Sequence, residues 1–193
     1  MVKSRKGSQF ERDLCKKLSS WWTSGARQDV FWRTAGSGGM ATNRRRKGEQ
    51  TQVHCGDLCA TDEVGAPFLK VFAAELKRGY SKDTLQDVLD APTRVGRKST
   101  KQTYEKWFEQ ASRSRDDSGA IHWMIIAKRD QRTTLVLFPF GLYSELSARE
   151  VLQPSSVLLY LTDNGNSCAM MKLDDFLEAV TPSLIQEMAR RPR

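Results

Sequence analysis

Three charged residues stand in segments whose neighbours are apolar. Asp57 lies in Cys55-Gly56-Asp57-Leu58-Cys59, and Glu75 and Lys77 lie in Phe72-Ala73-Ala74-Glu75-Leu76-Lys77. Ionised groups are seldom placed in a core unless they are paired or bound to a metal. Two carboxylates suit a hard divalent cation such as Mg2+, which takes oxygen ligands and keeps several waters. A lysine beside them can orient or deprotonate a water. Together they offer what phosphodiester hydrolysis needs, a charge clamp on the phosphate and a water made nucleophilic near neutral pH. The plain alternative is an edge-strand ion pair between Asp57 and Lys77.

The surrounding pattern has to place these residues. Val53 to Thr61 alternates as a strand, Asp62-Glu63-Val64-Gly65 reads as a turn, and Phe68 to Lys77 reads as a second strand, so the two form a hairpin. Residues of like parity share a strand face, so Glu75 and Lys77 point the same way. Upstream, Phe10, Leu14, Cys15, Leu18, Trp21 and Trp22 form one stripe of a helix from about Ser4 to Trp22. A short strand, Val30 to Arg33, follows. Thr34 to Gln52 is a long loop holding Gly36-Ser37-Gly38-Gly39 and Arg44-Arg45-Arg46-Lys47; a loop of this length is normally functional or disordered.

Tyr80 to Thr100 is irregular and polar. Thr103 to Arg115 is helical, with Tyr104, Trp107, Phe108 and Ala111 on its apolar face. Ala120 to Ala127 and Thr133 to Phe138 are strong strands, the first buried on both faces. A short helix near Leu142 to Glu150, strands near Val157–Leu161 and Cys168–Leu173, a helix from Asp174 and a last helix from Pro182 complete the chain. This order indicates an α/β sandwich with a mixed sheet. Trp21, Trp22, Trp107 and Trp123 read as core rather than base-stacking platforms, whereas Trp32 beside Arg33 stays open between the two.

The 193 residues suit one domain, and the net charge of +8 is unevenly placed. Residues 1–50 carry twelve basic and four acidic residues, leaving the remainder neutral overall. A basic end on a neutral body suits a polyanion, because phosphate contacts supply much of nucleic-acid affinity. No apolar run is long enough for a membrane span, and the N-terminus lacks a signal peptide's apolar stretch. Cys15, Cys55, Cys59 and Cys168 show no framework spacing, which fits a reduced, cytoplasmic setting. His54, Cys55 and Cys59 lack the second pair expected of a zinc site. Gly96-Arg97-Lys98-Ser99-Thr100 lacks the order and preceding strand of a nucleotide loop.

Taken together, Gly56-Asp57-Leu58 and Glu75-Leu76-Lys77 resemble the PD-(D/E)xK nuclease superfamily, and within it the archaeal-type Holliday-junction resolvases. The opening helix of that branch resembles Lys6-Gly7-Ser8-Gln9-Phe10-Glu11-Arg12-Asp13-Leu14. Its arginine strand and glycine/serine loop resemble Phe31-Trp32-Arg33-Thr34-Ala35-Gly36-Ser37-Gly38, and its later glutamine falls on Gln110 in Phe108-Glu109-Gln110-Ala111. The strand after that helix resembles Ile121 to Lys128. The resemblance covers roughly residues 5 to 130 and implies an αβββαβ restriction-endonuclease-like core with a mixed central sheet, spanning about 5–138 of a single nuclease domain 1–193. Residues from about 140 to 193 would be a C-terminal α/β extension.

The resemblance also implies Mg2+, with Mn2+ as substitute, held by Asp57, Glu75 and the Leu76 carbonyl, with Glu11 joining directly or through water. Lys77 would serve the nucleophilic water, and Ser37 and Gln110 would assist at the scissile phosphate. Lys6, Arg33, Arg44, Arg45, Arg46 and Lys47 would contact DNA. Branched DNA and a homodimer are the implied partners, in recombination, replication or phage DNA processing. A sequence-specific restriction-type nuclease and a non-catalytic DNA-binding protein with a relict site are the competing readings. Two features depart from the pattern: Gly56 stands where a proline is usual, and the loop from Ser37 to Asp57 is longer and more basic.

Overall fold

A computed structural model of the chain describes residues 3–34, 54–79, 103–152, 157–160 and 167–191. The first helix, α1 (Lys3–Trp22), buries Leu14, Cys15, Leu18 and Trp22 at the spacing its stripe requires. Ser19, also buried, fixes the next strand: its hydroxyl donates to the Cys15 carbonyl (2.8 Å) and accepts from the Phe31 amide (2.9 Å). That tie lays β1 (Phe31–Arg33) against the helix. The indole N–H of Trp21 reaches the Leu177 carbonyl and that of Trp22 the Val64 carbonyl, so both rings are packed with their polar handles satisfied.

The segment expected as one strand from Val53 to Thr61 folds back on itself. β2 (His54–Cys55) and β3 (Leu58–Ala60) pair antiparallel across a two-residue turn made of Gly56 and Asp57. Gly56 has φ +74, a left-handed conformation that glycine adopts without steric cost, and Gly and Asp are both turn formers. β3 also pairs with β1, giving a three-stranded sheet in the order β1-β3-β2.

The second expected strand also begins later than its apolar run. Asp62 caps a 3-10 turn at Glu63–Gly65 by accepting from the Val64 amide, and Pro67 then opens a short helix, α2 (Ala66–Val71). Phe68, Leu69 and Val71 are buried as helix residues, and only Phe72 starts β4 (Phe72–Arg78). The expected hairpin therefore does not form. β4 instead lies parallel to β5 (His122–Lys128) and meets the Gly56 turn through a single parallel bridge, Gly56 to Ala74.

β6 (Leu135–Pro139), β7 (Leu158–Tyr160) and β8 (Cys168–Lys172) complete a five-stranded mixed sheet in the order β4-β5-β6-β8-β7, with only β4 and β5 parallel. β5 is inside it, and Trp123, Met124, Ile125 and Ile126 are all buried, as the unbroken apolar run implied. One face is covered by α3 (Thr103–Ser118), whose Trp107, Phe108 and Ala111 pack on Trp123, Ile125 and Leu137. The helix continues to Ser118, past the expected end at Arg115.

On the other face Met124, Ile126, Val136 and Phe138 join a larger core with residues of α1 and α2. α4 (Phe140–Ala148), α5 (Leu173–Ala179) and α6 (Pro182–Arg190) enter the same core through Leu142, Phe176 and Ile185, so the C-terminal extension is woven into the sheet. The result is the mixed α/β architecture of a restriction-endonuclease-like core. Among the described residues no helix is long and apolar enough to cross a membrane.

Candidate active site

The parallel register of β4 on β5 puts Glu75 opposite Ile125 and Lys77 opposite Ala127, on the face that α3 covers. Both charges are nearly lost to solvent, at 2% and 7% exposure, and they pair: Lys77 Nζ donates to Glu75 Oε2 at 2.8 Å. Burial of an ion pair is costly unless its remaining hydrogen-bonding capacity is met. α3 meets it. Gln110 accepts from Lys77 Nζ through Oε1 (2.9 Å) and donates through Nε2 to Glu75 Oε2 (2.5 Å), while Ser114 Oγ donates to Glu75 Oε1 (2.6 Å). Sequence reasoning singled out Gln110 and missed Ser114. The signal was available, since four residues along a helix restores the same face.

Asp57 reaches this group from the Gly56 turn. Its amide donates to the Ala74 carbonyl at 2.8 Å, and its Oδ2 accepts from the Leu76 amide at 2.8 Å. Thr34, at the end of β1, holds the same turn by donating its amide to the Asp57 carbonyl and its hydroxyl to the Gly56 carbonyl. A Cβ on residue 56 would sit 2.4 Å from the Ala74 oxygen and 3.2 Å from Glu75 Oε1. Gly56 stands where the resembled pattern usually has proline, and this turn needs both a positive φ and a close approach, neither of which proline's fixed negative φ supplies. The N–H and C=O of one strand residue point to the same side, so the Leu76 carbonyl shares the side from which Asp57 approaches.

Burial pushes the Asp57 carboxyl up to about 6, and the neighbouring Glu75 carboxylate adds to the rise; the Leu76 amide and Lys77 offset it in part. Lys77 pairs with Glu75, so the site is more than a simple Asp57–Lys77 ion pair. Two carboxylates and one ammonium leave the group one negative charge in excess. Hard oxygen donors with uncompensated negative charge fit a divalent cation, and Asp57, Glu75 and the Leu76 carbonyl are the donors such an ion would meet.

Glu11 is placed differently from a full third ligand. Its carboxylate accepts from Arg33 Nη1 at 3.0 Å, and Arg33 also donates to Ser8 Oγ. Glu11 is still near enough for its charge to raise the Asp57 carboxyl. Among the described residues no group of three or more His, Cys, Asp or Glu side chains gathers in metal-binding fashion. Arg33, expected on the DNA backbone, is thus tied into an α1–β1 cluster beside the site. Lys6 lies on α1. Ser37, Arg44, Arg45, Arg46 and Lys47 lie outside the described residues. Trp22, Trp107 and Trp123 are buried and Trp21 packs on the core, whereas Trp32 is 43% exposed.

Over residues 2–187 the chain matches the family described as "Phage putative PDDEXK endonuclease". The chain belongs to that family. It is a PD-(D/E)xK nuclease, and the match runs through the C-terminal extension as well as the core. No curated protein and no solved structure matches the chain. In this nuclease Asp57 and the Glu75-Leu76-Lys77 element, far apart in sequence, are joined directly by the bond from the Leu76 amide to Asp57.

Proposed function

We propose that this nuclease is a Mg2+-dependent DNA endonuclease that cuts phosphodiester bonds at Asp57, Glu75 and Lys77, acting by preference on branched DNA as a homodimer. The observation that carries the reading is the convergence of two carboxylates and a lysine, held by Gln110 and Ser114 in an otherwise apolar sheet. A bound Mg2+ would supply positive charge to the phosphate oxygens and ease ionisation of a coordinated water. Lys77 spends two of its three N–H donors on Glu75 and Gln110; the third can hold the attacking water or a phosphate oxygen. Gln110 fixes the lysine, and Ser114 fixes the Glu75 carboxylate that would help hold the metal. Glu11 would act through a water, with Arg33 setting its position.

The basic first quarter of the chain supports a DNA backbone partner, and the resemblance to junction resolvases supports branched DNA and pairing of two chains. Cleavage of end-labelled four-way junction, flap, plain duplex, single-stranded DNA and RNA, each with Mg2+, Mn2+ or EDTA, tests the reading. Metal-dependent cutting with the junction or flap preferred is expected. A discrete ladder on plain duplex would instead favour a restriction-type enzyme, and cutting of RNA alone would replace the substrate class.

A further inference from the structure

Beside Lys77, on the face of the sheet that α3 covers, a cavity of about 360 Å3 opens between the first turns of α3 and the ends of β5, β6 and β8. Its walls are of two kinds. Tyr104 and Trp107 form an edge-to-face aromatic pair with ring centres 5.1 Å apart, and Met170 and Leu137 line the sheet side. The charged part of the lining is cationic, with Lys77 on the active-site side, then Lys128, Arg129 and Arg132, and no acidic side chain among the described lining residues. Arg129 is held against the aromatic wall, since its Nη2 donates to the Tyr104 hydroxyl at 3.4 Å.

An aromatic and thioether wall beside cations, reached from the catalytic lysine, matches a nucleotide: a flat base to stack and a phosphate to neutralise. A base in a duplex is not free to enter such a cavity, whereas one already unpaired pays little to leave its stack. Resting on the nuclease reading above, we propose that this cavity receives an unpaired nucleobase next to the scissile phosphate, and that it directs the enzyme to DNA with an unpaired nucleotide at the cut. Tyr104 provides the stacking surface, backed by the buried Trp107; Arg129 and Arg132 hold the flanking phosphates.

The test compares binding, without metal, of wild type to a plain duplex and to the same duplex with one unpaired adenine. Wild type should bind the second roughly tenfold or more tightly, the scale of one stacked base. Thr133 is exposed and lines the cavity, so Thr133→Trp fills the space without removing a core contact. That variant and Tyr104→Ala should both lose the preference. As a check independent of any variant, an unpaired 5-iodouracil should photo-crosslink to Tyr104, Trp107 or Met170. Equal affinity of wild type for both DNAs, a preference that survives both variants, or a crosslink confined to exposed Trp32 would overturn the proposal. Plain-duplex cleavage that needs Lys77 would leave the nuclease reading standing after such a failure. Conversely, absence of any cleavage alongside a clear binding preference would sink that reading and keep the cavity.

Discussion

Asp57→Asn should make the protein more stable while abolishing its activity. In the folded chain the Asp57 carboxyl is raised from 3.8 to about 6, chiefly by burial and then by Glu75. A carboxyl raised on folding binds its proton more tightly in the native state, so its stabilising contribution is complete below pH 3.8 and is lost as pH climbs past 6. The difference corresponds to about 3 kcal/mol at neutral pH and above. Asparagine carries no charge, so it avoids this loss, and its amide oxygen can still accept from the Leu76 amide that now bonds Oδ2.

Urea unfolding in EDTA at pH 8 and at pH 4 would measure the effect as a difference of differences. The variant's advantage over wild type should be up to about 3 kcal/mol larger at pH 8 than at pH 4, with unchanged urea dependence. Added Mg2+ should stabilise wild type and leave the variant nearly unmoved, by mass action on the state that binds the ion. A variant less stable than wild type at pH 8, or a gap independent of pH, would refute the claim that Asp57 is held charged against an electrostatic penalty.

Gly56→Ala should cost at least about 1–3 kcal/mol in urea unfolding, because its Cβ would meet the Ala74 carbonyl at 2.4 Å in a left-handed backbone. Ser114→Ala removes a donor to the buried Glu75 carboxylate and should lower stability by about 1.5–3 kcal/mol; Ser114→Thr, if its hydroxyl takes the same position, should recover both stability and kcat. Arg33→Ala frees Glu11 and should lower the cleavage rate more than DNA affinity, with the slope of log affinity against log salt nearly unchanged; a slope reduced by about one would return Arg33 to the phosphate backbone.

Much of this architecture was legible from periodicity. The α1 stripe, the α3 aromatic face and the doubly buried β5 all appear where their spacing places them. The two misreadings share a cause, which is that an apolar run does not declare its own backbone. Phe68 to Val71 looks like the start of a strand, yet Pro67 and the Asp62 cap make it helical. Cys55 to Cys59 alternates acceptably, yet Gly56-Asp57 is a turn pair.

At the site, Glu75 and Lys77 could be set on one face by parity alone. Asp57 could be named but not placed, because its position depends on a turn bridging to β4. Ser114 was overlooked because a serine on a helix seldom declares itself; only the position of Glu75 gives its hydroxyl a purpose. The pairing of Arg33 with Glu11 depends on how β1 crosses α1, which no local pattern encodes.

The most direct test of the central claim is single-turnover cleavage by wild type and Lys77→Ala on a substrate that wild type cuts, in Mg2+ and in EDTA, with DNA affinity and thermal unfolding measured alongside. Wild type should cut only with the metal, and the variant should cut about 100-fold or more slowly while remaining folded and binding DNA as before. A folded Lys77→Ala enzyme that cleaves at the wild-type rate would contradict the account, since the lysine buried between Glu75 and Gln110 would then have no part in the chemistry.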